Sequence, residues 1–304
     1  MTHLLDRAHT AARLDFASLV TELRALLADV TVQVPERLVQ PLPGGGSLFV
    51  MPALDGRIAI TKLITFTPAN IGTPRPSIQG DVVVFDVATG ARLVVLDGPT
   101  VTARRTAAVS LLAAQELAAV TAGPLLIVGA GAQGRAHLDA FAGAFPLRQV
   151  FVASRSVASA EVLVAHAKDL GLRATVVRDP DAVLAECPLV VTCTPANGVV
   201  LKSLPRADAF IAAVGAFTPR MVELGAELCR HCATAGELVV DTPEARHEAG
   251  DLLQAGLDPA AFATLREIVL GERKATRRGP VLFKSCGWAG WDLAAARVAV
   301  GAAA

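Results

Sequence analysis

Leu125-Leu126-Ile127-Val128-Gly129-Ala130-Gly131-Ala132-Gln133-Gly134-Arg135-Ala136-His137 decides how this 304-residue chain is read. A short apolar run ends in G-x-G-x-x-G, and a helical pattern follows at once. Strand, tight turn and helix in that order are the context a dinucleotide-binding fingerprint requires. Gly129 permits the turn, Gly131 lets the backbone approach a pyrophosphate, and Gly134 lets the helix pack close on the strand. Ala132 and Gln133 open the helix, whose free N–H groups and partial positive charge suit phosphates. A purely structural strand-to-helix turn is the plainer alternative.

Downstream, apolar runs at 125–129, 149–153, 174–177, 189–193, 209–214 and 238–240 alternate with helical or loop segments. Such alternation predicts an α/β, doubly wound parallel sheet. Strand ends line the cofactor crevice in these sheets, so Thr194-Pro195 and Val214-Gly215 are candidates for contacting the nicotinamide half. The second strand ends in Ser154-Arg155-Ser156, with no carboxylate at its tip for the ribose hydroxyls of NAD. A hydroxyl followed by a guanidinium suits a 2′-phosphate, which favours NADPH, with NADH as an alternative. A solvated loop arginine is the other account of Arg155.

Upstream, Asp15 reads as the N-cap of an amphipathic helix carrying Phe16, Leu19, Val20, Leu23, Leu27 and Val30. The segment Arg57–Thr67 alternates, with Ile58, Ile60, Ile64 and Phe66 on one face. Gln79–Val87 and Ala91–Asp97 flank Ala88-Thr89-Gly90 as a hairpin, so an antiparallel sheet is expected before the dinucleotide unit. A helix is expected from Pro99-Thr100 to about Ala119, and an Ala-rich one over Asp292–Ala302.

Lys62 shares the apolar face of its strand, where an ammonium is costly without a partner. It is either a buried ion pair with a protein carboxylate or an anchor for an anionic substrate. Arg104 and Arg105 are placed near a helix start, where the dipole disfavours cations and a bound anion would offset them. They point about 100° apart, so one of them is expected to face a site. Arg37 follows Pro35-Glu36 at a strand start and alone reads as a surface residue. Ser47, after Gly44-Gly45-Gly46, is a proton-donor candidate or a turn residue, with the turn reading preferred.

Composition excludes several classes. Twenty-eight Lys and Arg balance 28 Asp and Glu, so nothing suggests a nucleic-acid partner. No apolar run reaches the roughly 20 residues of a membrane span, and no secretory leader is visible at Met1-Thr2-His3-Leu4-Leu5-Asp6. The odd set Cys187, Cys193, Cys229, Cys232 and Cys286 reads as reduced thiols of a cytoplasmic protein. Cys229-Arg230-His231-Cys232 lacks a second half-site, so no metal is expected.

Together, Pro35-Glu36-Arg37, the Lys62 strand, Thr102-Ala103-Arg104-Arg105-Thr106-Ala107-Ala108, the glycine turn and Gly287-Trp288-Ala289-Gly290-Trp291-Asp292 resemble the ornithine cyclodeaminase/μ-crystallin family over nearly the whole chain. The resemblance implies a discontinuous α+β substrate and dimerisation domain (1–118 and 285–304) around a Rossmann domain (119–284), and a homodimer. It implies that Arg37, Lys62 and Arg105 bind a substrate carboxylate. Ornithine cyclodeaminases carry an aspartate where Gly215-Ala216-Phe217-Thr218-Pro219 has Phe217. A phenyl ring can neither move a proton nor hold a distal ammonium, and it suits an apolar ring. The form is similar to the branch that reduces the cyclic imino acids Δ1-pyrroline-2-carboxylate and Δ1-piperideine-2-carboxylate to proline and pipecolate. The imine proton would come from solvent, Lys62 or Ser47. The alternatives are an ornithine cyclodeaminase, an alanine dehydrogenase-like enzyme and a non-catalytic NADPH-binding protein like μ-crystallin.

Overall fold

A computed structural model describes residues 3–73, 75–195 and 197–301. The chain divides into two compact units, one from its two ends (Met1–Thr106 and Trp288–Ala304) and one from Ala107–Gly287. The division falls inside the helix Gly98–Leu117.

The first unit is built on a six-stranded sheet, in spatial order His3–Leu4, Arg92–Asp97, Ile78–Asp86, Ile58–Phe66, Ser47–Leu54 and Leu38–Pro41. The five strands from Leu38 to Asp97 pair antiparallel, as their pattern predicts, and His3–Leu4 adds to the edge, parallel to Arg92–Asp97. Successive strand residues point to opposite faces. Ile58, Ile60, Lys62 and Ile64 are accordingly buried on one face, while Leu63 is exposed on the other. The helix Ala289–Gly301 packs on the strands Ser47–Leu54 and Ile58–Phe66 and on the helix Phe16–Ala28.

Asp15 caps the helix Phe16–Ala28, its carboxylate accepting from the Ser18 N–H at 2.9 Å. Val30, read as part of that helix's apolar stripe, lies beyond its end and is 92% exposed. Arg297 locks the C-terminal helix in place. Its guanidinium reaches Asp55 at 2.6 Å, Glu22 at 3.1 Å and Asp29 at 2.5 Å. Three carboxylates around one buried cation fix the helix rotationally, and with it the face that carries Asp292.

The second unit is a parallel eight-stranded sheet. Its order is Ala263–Thr264, Glu237–Val240, Val281–Lys284, Phe210–Ala213, Leu189–Thr192, Gly123–Val128, Leu147–Ala153, Arg173–Val176. Its central strands are buried on both faces, as parallel strands covered by helices must be. The chain winds outward from Gly123–Val128 to Arg173–Val176, then returns to Leu189–Thr192 on the other side. The switch point therefore lies between Gly123–Val128 and Leu189–Thr192. Two strands of the sheet escape sequence reading. Ala263–Thr264 is only two residues long, and Val281–Lys284 ends in a lysine after a basic loop. A separate two-stranded sheet pairs Asn197–Leu201 with Val222–Leu224.

Arg104 and Arg105 sit about two turns inside Gly98–Leu117 rather than at its start. The dipole acts over the first turn, so it does not call for an anion there. The cysteines are all free and buried. Among the described residues no helix is long and apolar enough to cross a membrane, and no cluster of three His, Cys, Asp or Glu could hold a metal.

Candidate active site

Candidate site residues occur in both units. In the second unit, the strand Gly123–Val128 ends at Gly129, whose φ of +119° suits glycine alone. A Cβ there would meet the Cys193 carbonyl oxygen at 2.7 Å. Gly134, in the first turn of the helix Ala132–Ala144, lies so close to Gly129 that a Cβ would stand 2.0 Å from its carbonyl oxygen. Gly131 differs from both: a Cβ there would meet nothing within 4 Å. It is also the N-cap, and as a glycine it places no side chain of its own over the first turn. Open space before the N-terminus of this helix is a cradle for a pyrophosphate. The residues present therefore fit a dinucleotide.

The helix is braced from behind. His137 donates from Nδ1 to the Gln133 carbonyl at 2.8 Å, and its Nε2 accepts from the Ser110 hydroxyl at 2.9 Å. Burial, more than any other cause, pushes its pKa down to about 4, so the ring is a neutral strut.

At the adenosine end, Ser154 is half-buried at the tip of Leu147–Ala153, and Arg155 beside it is exposed. The residues that follow the strand, Ser154-Arg155-Ser156, include no carboxylate. Ser156 caps the next helix, Val157–Asp169, accepting from the Ser159 N–H at 3.2 Å.

Across the switch point, Thr194-Pro195 and Val214-Gly215 leave the strands Leu189–Thr192 and Phe210–Ala213. The Val214 N–H donates to the Thr192 carbonyl at 2.9 Å, which holds the two exits in register. Between them lies Glu223, fully buried, a residue that sequence reading passed over. Phe217 is half-buried in the loop that follows, with the Ala216 carbonyl accepting from Lys284 at 2.6 Å and the Pro219 carbonyl accepting from Gln254 at 3.1 Å.

In the first unit, Lys62 and Arg105 converge on Asp292. Lys62 Nζ stands 2.7 Å from Oδ2 and Arg105 Nε 3.0 Å from Oδ1. All three side chains are buried. Lys62 thus has the protein carboxylate partner that a buried ammonium requires, and two cations against one anion leave the cluster positive. Burial pushes the Lys62 pKa down to about 8, against the pull of Asp292 and with help from the charges of Arg105 and Arg37. Arg37 therefore lies within electrostatic reach of the ammonium. Arg105 gives Asp292 its Nε–H, and a guanidinium has four further N–H donors in a planar fork that suits a carboxylate.

Arg104 takes the other direction, as the 100° offset requires. It donates to the Leu14 carbonyl at 2.5 Å and stacks 4.2 Å from the centre of the Phe16 ring. Ser47 is not a turn residue; it opens the strand Ser47–Leu54 opposite Phe66. Lys62 is paired with Met51, four residues on, so Ser47 is on the same face but about 13 Å along the strand. Asp292 was visible only as the last letter of a motif. Its role depends on a helix from the far end of the chain lying on the Lys62 strand.

Comparison with known proteins places the chain in a family. Residues 8–303 match the ornithine cyclodeaminase/mu-crystallin family. A Δ1-pyrroline-2-carboxylate reductase of Burkholderia multivorans is 40% identical over 303 residues, spanning 98% of this chain and 95% of that protein. The Δ1-pyrroline-2-carboxylate/Δ1-piperideine-2-carboxylate reductase of Azospirillum brasilense is 39% identical over 300 residues, spanning 97% of this chain and 94% of that protein. The structure of the Thermococcus litoralis Δ1-pyrroline-2-carboxylate reductase with NADH and L-proline superimposes with a TM-score of 0.91 at 26% identity, covering 99% of this chain and 97% of that one. With its glycine turn, its Lys62–Asp292–Arg105 cluster and this match over nearly its full length, the chain belongs to the ornithine cyclodeaminase/mu-crystallin family.

Proposed function

We propose that the protein reduces the cyclic ketimines Δ1-pyrroline-2-carboxylate and Δ1-piperideine-2-carboxylate to L-proline and L-pipecolate, using a reduced nicotinamide dinucleotide. The Lys62–Asp292–Arg105 cluster carries this reading. It supplies fixed positive charge for a carboxylate and, in Lys62, an acid whose pKa of about 8 matches proton transfer near neutral pH. Arg105 and Arg37 hold the substrate carboxylate, and Lys62 hydrogen-bonds to it and protonates the imine nitrogen, which makes C2 electrophilic. A reduced nicotinamide, when bound, supplies the hydride that C2 accepts. Phe217 packs against an apolar ring and offers no second carboxylate for the distal amine of ornithine. The first unit serves substrate binding and dimerisation, the second the dinucleotide, and the protein works in the cytoplasm, where its thiols stay reduced.

The test is direct. Purified protein mixed with either ketimine and NADPH consumes the reduced cofactor, followed by its absorbance. No consumption, with ammonia released from ornithine instead, would overturn the assignment. Within the same assay, Arg155 gives the cofactor its preference for the 2′-phosphate. Arg155→Ala raises KM for NADPH by about tenfold or more, the scale of a charge-assisted hydrogen bond, and leaves KM for NADH within about twofold. Equal changes for both cofactors would take Arg155 away from the 2′-phosphate.

The assembly is a homodimer through the outer face of the six-stranded sheet. Leu38, Val50 and Leu63 form one cross-strand row there. Leu38 is 57% and Leu63 45% exposed, an apolar row that a monomer would leave in water. Leu63→Glu is expected to shift the protein from dimer to monomer in light scattering. An unchanged mass would place the interface elsewhere.

A further inference from the structure

The second unit contains a buried ionic network at the exits of the strands Leu189–Thr192 and Phe210–Ala213. Glu223 is at its centre. One carboxylate oxygen, Oε1, accepts from the Thr194 N–H at 2.6 Å and the Thr194 hydroxyl at 2.8 Å. The other, Oε2, accepts from the Gly215 N–H at 2.7 Å and the Thr192 hydroxyl at 3.1 Å. Four donors fill the acceptor capacity of one carboxylate. They come from the exits of two different strands, Leu189–Thr192 and Phe210–Ala213.

Glu223 is itself held. Its own N–H and that of Leu224 donate to Asp251 Oδ1 at 2.6 Å and 2.9 Å. Asp251 Oδ2 stands 2.8 Å from Lys284 Nζ. The ammonium in turn donates to the carbonyls of Ala216 at 2.6 Å and Ala213 at 3.4 Å. The network therefore closes on the segment Ala213–Ala216 from both sides. Glu223 holds it by the Gly215 N–H, and Lys284 holds it by the carbonyls. There is no slack at the junction. A Cβ on Gly215 would lie 2.2 Å from the Thr194 carbonyl oxygen and 2.6 Å from the Glu223 carboxyl carbon.

The place of this junction in the sheet gives it a role. The glycine turn and the strands Leu147–Ala153 and Arg173–Val176 lie on one side of the switch point, the side that takes the adenosine. The Thr194 and Gly215 exits lie on the other, which takes the second nucleotide. A buried ionic network is a poor source of stability compared with apolar packing, and a geometric role is the better account of one kept at strand ends. We propose that Glu223, backed by Asp251 and Lys284, is a positioning residue for the nicotinamide half of the dinucleotide. It sets the Thr194 and Gly215 backbones at one fixed separation and makes no demand on the adenosine half. This inference rests on the dinucleotide reading of the glycine turn.

Glu223→Gln tests it without changing volume. Each carboxylate oxygen accepts from a backbone N–H, so whichever way the amide turns, its NH2 faces one of them. One exit must move. Calorimetric titration of the full-length protein with NADPH and with 2′,5′-ADP, which lacks the nicotinamide half, separates the outcomes. The variant is expected to bind NADPH at least tenfold more weakly than wild type and to bind 2′,5′-ADP within twofold of it. Equal weakening of both ligands would make the network a general prop of the fold and overturn the proposal; no weakening of either would do the same. A wild-type protein that binds neither these ligands nor NADH would remove the dinucleotide reading itself, a distinct failure. Should Glu223→Gln not fold, Thr194→Val removes one donor at the exit and is expected to show the same split at about threefold.

Discussion

Lys62→Met is expected to lower kcat/KM for either cyclic ketimine by about a thousandfold or more. Methionine keeps the apolar stem and approximate length of lysine but has no proton to give. General acid catalysis by one positioned group is worth about 10²–10⁴, and the lost hydrogen bond to the substrate carboxylate adds to that. The variant also leaves Asp292 facing Arg105 alone, so the cluster loses the positive charge that attracts the substrate. A companion measurement fixes the role. Because Lys62 has a pKa of about 8, kcat/KM in the reducing direction is flat below that pH and falls above it, as the ammonium loses its proton. Asp292 pulls this pKa upward against burial. Asp292→Asn must therefore move the descending limb to lower pH. A descending limb that stays put in Asp292→Asn would assign the titration to another group. Activity retained in Lys62→Met would leave solvent as the proton source.

The second large effect concerns the glycine turn, where two glycines that look alike in the motif are expected to fail in different ways. At Gly134 a methyl would stand 2.0 Å from the Gly129 carbonyl oxygen, and backbone cannot swing aside like a side chain. Gly134→Ala must push the helix Ala132–Ala144 off the strand Gly123–Val128, at a cost of about 1–3 kcal/mol. Both the melting temperature and dinucleotide binding should fall. At Gly131 a methyl meets no protein atom within 4 Å. Gly131→Ala should melt like the wild type yet bind NADPH at least a hundredfold more weakly, because the methyl occupies the space a pyrophosphate needs. Calorimetric melting beside NADPH titration separates the two. Unchanged NADPH binding in Gly131→Ala would mean that the phosphates lie elsewhere.

Much of the molecule was legible from local pattern. The buried face Ile58, Ile60, Lys62 and Ile64 follows from alternation, since a strand shows its faces with period two. The turn after Val128 follows from glycine spacing, since few other backbones make it. That Arg104 and Arg105 part company followed from the 100° step of a helix; that Arg105 is the one at the cluster was implied only by the family resemblance. Errors arose where a local signal competed with distant partners. Ser47 looked like part of the Gly44-Gly45-Gly46 turn, but its pairing with Phe66 extends the strand to include it. The strand Val281–Lys284 was not among the apolar runs, and a lysine at its end is unusual for a central strand. It is tolerated because Asp251, more than thirty residues earlier in the chain, meets it in the interior.

What the amino-acid order determined by itself is therefore the parallel sheet, the dinucleotide turn and an unexplained lysine on an apolar face. Periodicity, backbone freedom and the cost of a buried charge all act within a few residues. What only the tertiary structure decided is how that charge is balanced and how the strand exits are held. Asp292 reaches Lys62 and Arg105 from 230 and 187 positions away, and Glu223 joins the backbones of Thr194 and Gly215. An ion pair or a hydrogen bond depends on ångström-scale approach in space. Separation along the chain carries no information about that approach until the core has packed.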